Sequence, residues 1–172
     1  MKKLLLSIVV ILLTFNLNAQ DKYAKKVQSL DSTLETLYAV ISGDKGVARD
    51  WDLFRYLFHA EAKLIPSGPN REGAINARFM TPDDYVNGSG KWLEENGFHE
   101  IEISREVDTF GNITQVFSTY EAKRSKNDEK PFMRGINSIQ LLNDGTRWWI
   151  LNIYWVQESP TNPIPKKYLP TN

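Results

Sequence analysis

The chain has 172 residues and carries 21 basic and 21 acidic side chains, so its formal net charge at neutral pH is zero. This balance gives no basic surface for nucleic acid or for an anionic membrane, and neither is expected as a partner. Cysteine is absent, which excludes disulfides and thiolate metal sites. Five Trp, seven Tyr and eight Phe favour an interior lined by aromatic side chains.

The N-terminus has the pattern of a secretory signal peptide. Lys2 and Lys3 precede an apolar run over residues 4–15, and Ala19 is a small residue at the cleavage position. The run spans about 18 Å as a helix, too short for a hydrocarbon core of about 30 Å. We therefore predict that residues 1–19 are removed during export to the periplasm or the cell exterior. An uncleaved anchor is the alternative, whereas a lipid anchor lacks its cysteine.

The rest of the chain is predicted to be one domain, residues 20–158, followed by a tail over residues 159–172 with four prolines. Three helical patterns come first. The second covers residues 49–58, and the third begins at Thr81, a capping residue followed by Pro82. The first helix ends at Gly43, and its apolar positions recur at spacings of three and four: Val27, Leu30, Leu34, Leu37, Tyr38 and Ile41.

The strand patterns follow. A short strand over residues 59–65 precedes the third helix, and from residue 99 the period changes to 2. Four strands then follow in succession, the last two joined by the tight turn "NDGT". Helices followed by antiparallel strands indicate an α+β fold with the helices on one face of a sheet. The four strands are predicted over residues 99–107, 113–123, 132–142 and 147–157.

The segments "LFHAEAKL" and "DGTRWWILNIYW" resemble the first and last strands of the NTF2-like superfamily in its SnoaL-like and ketosteroid isomerase-like members. Together, "FGNITQVFSTYE", "RGINSIQLL" and "WWILNIYWVQE" are similar to a secreted, functionally uncharacterised branch of it. The resemblance covers most of residues 22–158. It implies about three N-terminal helices packed in a cone on a curved, mostly antiparallel sheet. This scaffold hosts isomerases, dehydratases, cyclases and plain binding proteins.

The resemblance also directs attention to isomerase chemistry. In that family an aspartate base follows the first strand, and a tyrosine and a protonated carboxyl act as oxyanion donors. The corresponding residues 64–68, "LIPSG", contain no carboxylate, and strict alternation places no Asp or Glu on an apolar strand face. His59 and His99 are the only histidines and lack metal-site spacing. No catalytic residue, metal or cofactor is therefore assigned, and whether the protein is an enzyme stays open.

A candidate pocket follows from the polar groups on the predicted cone face of the sheet. In the last strand, Asn152 and Tyr154 alternate with apolar residues, and Asn137 lies on the strand before it. Two carboxamides and a hydroxyl in an apolar wall are typical of a small-molecule pocket. The pairing of Asn137 with Asn152 is a hypothesis, because sequence does not fix register. The candidate pocket residues are His59, Arg105, Ser118, Tyr120, Asn137, Asn152 and Tyr154.

Each candidate has a structural alternative. His59 is either a base or ligand contact, or it fixes the start of a strand. Arg105 either binds an acidic ligand group or pairs with a helix carboxylate such as Asp52 or Glu61. The two asparagines either mark the pocket or satisfy one another, and Tyr120 is either a ligand donor or a core residue.

The opposite face of the last strand has no polar residue before Gln157. It carries Trp149, Leu151, Ile153 and Trp155, a patch that predicts a homodimer interface. The alternative cover is the tail, with Ile164, Tyr168 and Leu169 folded back on the sheet.

Two functions follow from these observations. In the first, the exported protein binds a small, largely apolar ligand in the cone, and any reaction is a proton transfer, as in isomerisation, dehydration or cyclisation. In the second, the cone is filled by aromatic side chains and the protein is a non-catalytic, dimeric interaction module. The identity of the ligand does not follow from the sequence.

Overall fold

A computed structural model describes residues 22–171, so the predicted signal peptide lies outside the described residues. The helices are α1 (Leu30–Ile41), α2 (Trp51–Tyr56) and α3 (Pro82–Asn96), with short 3-10 turns at Ala24–Val27 and Lys166–Tyr168. The strands are β1 (Phe58–Pro69), β2 (Ile75–Ala77), β3 (His99–Phe110), β4 (Ile113–Lys123), β5 (Met133–Asn143) and β6 (Trp148–Gln157). No described helix has the length and hydropathy needed to cross a membrane.

The six strands form one curved sheet in the order β2-β1-β6-β5-β4-β3. Only the β1–β6 pair is parallel, and the other neighbours are antiparallel. The three helices pack on one face, which we call the inner face. The predicted α+β class, with helices on a mostly antiparallel sheet, is confirmed.

Two of the helices begin with reciprocal side-chain caps. Ser29 starts α1 by accepting from the backbone of Ser32, and Thr81 starts α3 by accepting from the backbone of Asp84. In each case the third residue returns a bond to the cap, which satisfies two free amides. Gly90 lets helix α3 pack closely against α2, since a Cβ there would lie 3.2 Å from the Trp51 ring. The caps stabilise the first turn of each helix.

Two β-bulges decide which side chains face the helices. Opposite β4, Glu102 pairs with Tyr120 and Ser104 with Thr119, so Ile103 is the extra residue of β3. A bulge shifts the alternation by one residue. As a result Glu100, Glu102 and Arg105 all share the inner face, while Ile101 is 50% exposed on the other.

The second bulge lies in β6 and overturns part of the predicted pocket. Gln140 pairs with Asn152 and Leu141 with Ile150, which makes Leu151 the extra residue. Beyond it Ile153 and Trp155 turn inward, and Ile153 is 6% exposed. Asn152 and Tyr154 therefore lie on the outer face, and their predicted place in the cone is wrong.

The same bulge corrects two further predictions. Asn137 lies opposite Trp155 rather than Asn152, so the asparagines do not pair. Ile153 and Trp155 belong to the inner face, and only Trp149 and Leu151 remain from the predicted outer patch. The interface composition predicted from strict alternation is therefore wrong.

The proline-rich tail folds back on the outer face. The Thr119 hydroxyl donates to the Tyr168 carbonyl at 2.7 Å, and the Tyr168 ring lies 4.9 Å from that of Phe117. Thr119 is fully buried as a result. Ile164, Tyr168 and Leu169 are all half-buried. The tail, predicted as the alternative cover for this face, packs over β4 and β5.

Candidate functional site

The side chain of Glu100 is the unusual feature of the inner face. It lies near the start of β3, opposite Ala122 of β4, and is half-buried. Burial raises the pKa of Glu100 to about 8, although an amide of Asn137 at 3.5 Å favours the ionised form. The expectation that no carboxyl occupies an apolar strand face is therefore wrong. At neutral pH this carboxyl is largely protonated and can donate a hydrogen bond.

Glu100 lines an inner cavity of about 80 Å³ between helices and sheet. Such a space holds a few water molecules or the end of a ligand, and is smaller than the roughly 300–1,000 Å³ of ordinary ligand pockets. The polar members of its wall are Tyr38, Tyr85, Glu100, Tyr120 and Asn137. The apolar members are Leu37, Ile41, Phe54, Leu64, Ile153 and Trp155.

Three tyrosine hydroxyls point to this region and stay protonated. Burial raises the pKa of Tyr38, Tyr85 and Tyr120, and the nearby Glu100 carboxyl raises each further. Among the described residues, the Tyr85 and Tyr120 hydroxyls make no hydrogen bond to another protein group, and both side chains line the cavity. They are therefore neutral donors available to a molecule in the cavity.

A larger cleft of about 640 Å³ lies between α1 and β3, and we call it the α1–β3 cleft. Tyr38 and Glu100 line both this cleft and the inner cavity. The remaining wall is mixed, with apolar, acidic and basic members: Leu34, Glu35, Ala39, Ser42, Gly43, His99, Ile101, Glu102, Arg105 and Lys126. The volume of the cleft is that of a small-molecule site.

A hydrogen-bond network joins the cleft surface to its interior. Arg105 pairs with Asp31 through Nη1 at 3.0 Å and with Glu102 through Nε at 2.8 Å. The Ser118 hydroxyl donates to Glu102 at 2.6 Å and lies 2.6 Å from the Tyr38 hydroxyl. The Asn137 amide donates to the Tyr38 oxygen at 3.1 Å. The network leads from a surface ion pair to the residue beside Glu100.

Three of the predicted pocket residues belong to this network: Arg105, Ser118 and Asn137. A fourth, Tyr120, lines the inner cavity beside Asn137. The ion pair expected for Arg105 forms, but its partners are Asp31 and Glu102 rather than Asp52 or Glu61. The bulge at Ile103 places Arg105 beside Glu102, which alternation alone assigns to the opposite face.

The other three predicted residues lie elsewhere. His59 accepts from the Glu61 amide at 3.2 Å, and its ring contacts that of Trp149 at 6.1 Å. Asn152 donates to the Gln140 side chain, and Tyr154 donates to Ser67 at 3.4 Å. None of the three lines the α1–β3 cleft or the inner cavity.

Sequence reasoning missed Tyr38, Tyr85, Glu100 and Glu102. Tyr38 was assigned to the apolar stripe of the first helix, and both glutamates to a solvated strand face. The one available signal was the alternation in "HEIEIS", where either the glutamates or the isoleucines had to face the helices. The structure turns the glutamates inward. The described residues contain no cluster of three or more His, Cys, Asp or Glu suited to a metal ion.

Solved bacterial structures share this fold. A protein of unknown function with a cystatin-like fold from Nostoc punctiforme aligns with a TM-score of 0.57 at 8% identity, over 76% of this chain and 90% of that one. An NTF-2 like protein of unknown function from Silicibacter pomeroyi gives 0.54 at 15% identity, over 75% and 92%. A putative calcium/calmodulin-dependent protein kinase type II association domain from Thiobacillus denitrificans gives 0.57 at 8%, over 77% and 98%.

Identities this low show a common fold and leave function open. No protein-family model matches the sequence, and no curated protein matches it.

Proposed function

We propose that this chain, whose NTF2-like fold agrees with its sequence resemblance, binds a small molecule in the α1–β3 cleft through the carboxyl of Glu100. The observation that carries the proposal is the position of Glu100, which lines both the cleft and the inner cavity. Burial is the main cause of its raised pKa of about 8. A protonated carboxyl in an apolar wall is a donor whose hydrogen bond is strengthened by the low local dielectric.

The proposed ligand is largely apolar with one hydrogen-bond acceptor, such as a carbonyl or hydroxyl oxygen. Its acceptor would meet the Glu100 carboxyl, with the Tyr85 and Tyr120 hydroxyls as further donors. Its body would lie in the cleft against Leu34, Ala39 and Ile101. The volumes favour this division, because the inner cavity holds about 80 Å³ and the cleft about 640 Å³.

Any reaction at this site is proposed to be a proton transfer. A carboxyl with a pKa of about 8 is present in both protonation states near neutral pH, which suits a general acid or base. The neutral carboxyl beside tyrosines is also similar to the oxyanion donors of ketosteroid isomerase. This arrangement supports isomerisation, dehydration or cyclisation as the reaction class. Export after removal of residues 1–19 is part of the same proposal.

A second function has its own supporting observation. Apolar side chains are exposed at the β3–β4 turn, where Phe110 is 84% exposed and Ile113 57% exposed. With an inner cavity walled by Phe54, Tyr85 and Trp155, these side chains favour a protein-contact module. Homodimerisation through the outer face would belong to this function.

The two functions separate by mass spectrometry of small molecules released from the purified protein. We expect a small molecule to accompany the wild type and the Glu100→Gln variant, because the glutamine amide can also donate. The Glu100→Ala variant should carry at least about tenfold less of this molecule. Glu106→Gln, an exposed glutamate of the same strand, is the matched control. A wild type that carries nothing, or full retention by Glu100→Ala, would contradict binding through Glu100.

A further inference from the structure

Glu102 and Arg105 form an ion pair at the edge of the cleft, and a continuous hydrogen-bond network leads from it to Glu100. We propose that this ion pair fixes the direction of every hydrogen bond in that network, so that Glu102 and Arg105 position the proton of Glu100 toward the ligand. The inference deepens the proposed function, on which it rests for the role of Glu100. The hydrogen-bond directions are those of the protein without a bound ligand.

At the edge of the cleft, the chemistry of the ion pair sets which groups donate and which accept. A guanidinium only donates, so Arg105 takes the Oε1 oxygen of Glu102 at 2.8 Å as its acceptor. Burial raises the pKa of the Glu102 carboxyl, but the Ser118 hydrogen bond and the Arg105 charge favour its ionised form, which only accepts. The Ser118 hydroxyl, 2.6 Å from the Oε2 oxygen of Glu102, must therefore be the donor in that bond.

The donor in each further hydrogen bond follows from the one before it, from Ser118 inward to Asn137. Since Ser118 has given its single proton to Glu102, the 2.6 Å bond with Tyr38 requires Tyr38 to donate. The Tyr38 oxygen can now only accept, so the Asn137 atom 3.1 Å away must be the amide nitrogen. The second hydrogen of that nitrogen is directed to the Oε1 oxygen of Glu100, at the long distance of 3.5 Å.

These directions determine which oxygen of the Glu100 carboxyl carries its proton. Because its Oε1 oxygen faces a donor, the proton of the neutral form belongs on Oε2, where a ligand acceptor can take the hydrogen bond. The other titratable groups facing it are Tyr38 of α1, Tyr85 of α3 and Tyr120 of β4, all of them protonated at neutral pH. On its own strand, Glu102 is the charged group that the network connects to it.

Replacing Glu102 by glutamine should reverse the network. The Arg105 Nε–H still requires an oxygen, so the new carboxamide turns its nitrogen toward Ser118. Ser118 then donates to Tyr38, and Tyr38 donates to the oxygen of a turned-over Asn137 carboxamide. Glu100 now faces that oxygen, which favours its protonated form and raises its pKa.

The sign of this shift is diagnostic. Removing the negative charge of Glu102 would lower the pKa of Glu100 if the two carboxyls interacted only through charge, because a like charge disfavours ionisation. Reversal of the hydrogen bonds predicts the opposite sign. A positioning role is thereby separated from a simple charge effect.

The test is carbon-13 NMR titration of protein labelled at the glutamate carboxyls, without added ligand. The Glu100 signal is identified by its loss in Glu100→Gln. We expect Glu102→Gln to raise the pKa of Glu100 by about one pH unit. The rise should vanish when Ser118→Ala is added to cut the connection, and Glu106→Gln should leave the pKa unchanged. A fall or no change in Glu102→Gln, or a rise that persists without Ser118, would overturn the proposal.

A second measurement uses the wild type and does not depend on any variant folding. Neutron diffraction should place deuterium on Ser118 toward Glu102, on Tyr38 toward Ser118, and on Asn137 Nδ2 toward Tyr38. Any of these bonds found in the opposite direction would overturn the proposal. Neither experiment involves a ligand, so failure here is distinct from failure to find a small molecule in the cleft.

Discussion

At the scale of single residues, the position of the Glu100 carboxyl among apolar side chains makes its ionised form unfavourable. Its carboxyl shares the inner cavity with six apolar side chains, and the Asn137 amide is its hydrogen-bond partner at 3.5 Å. Burying an ionised carboxyl in such surroundings is unfavourable, so the group remains protonated to a higher pH. Buried groups with raised pKa values concentrate at functional sites, which is the physical reason to place the site here.

The same residue makes a prediction about stability and pH. The pKa of Glu100 is about 8 in the folded protein and about 4.5 in the unfolded chain. Between these values the folded state binds more protons, so the free energy of unfolding should fall as pH rises, by up to about 1.4 kcal/mol per pH unit. Glu100→Gln should remove this contribution, because its amide has no charge to bury.

Urea unfolding between pH 5 and pH 9 measures this effect as the difference between wild type and Glu100→Gln. We expect the variant to gain stability relative to wild type as pH rises. The difference isolates Glu100 from carboxyls whose pKa values are lowered, such as Asp84 and Asp144, since both proteins retain them. Parallel stability curves for the two proteins would contradict the raised pKa.

At the scale of elements, local signals explain the successes of the sequence-based interpretation, and the two bulges explain its errors. The capping residue Thr81 placed the start of α3 correctly, because this signal acts within a few residues. The first helix was predicted from its apolar spacing, but its start at Leu30, after the cap Ser29, was not. The succession of the five longer strands was also correct, whereas β2 was not predicted as a strand. Alternation failed before Ile103 in β3 and after Leu151 in β6, because one extra residue in each strand reverses the faces on its two sides.

Mutations on the two sides of β6 test the second bulge. Ile153 is buried at the inner face, so Ile153→Ala should lower the free energy of unfolding by about 2–5 kcal/mol. Asn152→Ala, on the outer face beside Gln140, should cost less than about 1 kcal/mol. Chemical denaturation with near-ultraviolet circular dichroism measures both. Equal costs would place the two side chains in similar surroundings and contradict the bulge.

At the scale of the whole molecule, the tail decides how much of the outer face is free. Its 3-10 turn at Lys166–Tyr168 covers Phe117 and Thr119. The groove between tail and sheet also contains Ile136, Tyr154 and Val156. The proposed homodimer must therefore use the part of the face that the tail leaves exposed, or displace the tail.

Removal of residues 159–172 tests this cover. We expect the shortened chain to self-associate at micromolar concentration more strongly than the full chain, because Phe117, Ile136 and Val156 become one exposed apolar patch. Light scattering gives the mass of each. Removal of residues 170–172 alone is the matched control, since it leaves Tyr168 in place. Identical masses for the long truncation and the full chain would show that the tail does not limit association.

The sequence by itself determined the fold class, the start of α3 and the succession of the five longer strands, because each depends on local spacing and on residues close in the chain. It also brought Arg105, Ser118, Tyr120 and Asn137 forward as polar residues in apolar strands. The tertiary structure alone decided that Glu100 joins them and that Asn152 and Tyr154 do not. The physical reason is that a bulge depends on the register between two strands, and register is set by contacts between residues far apart in the chain.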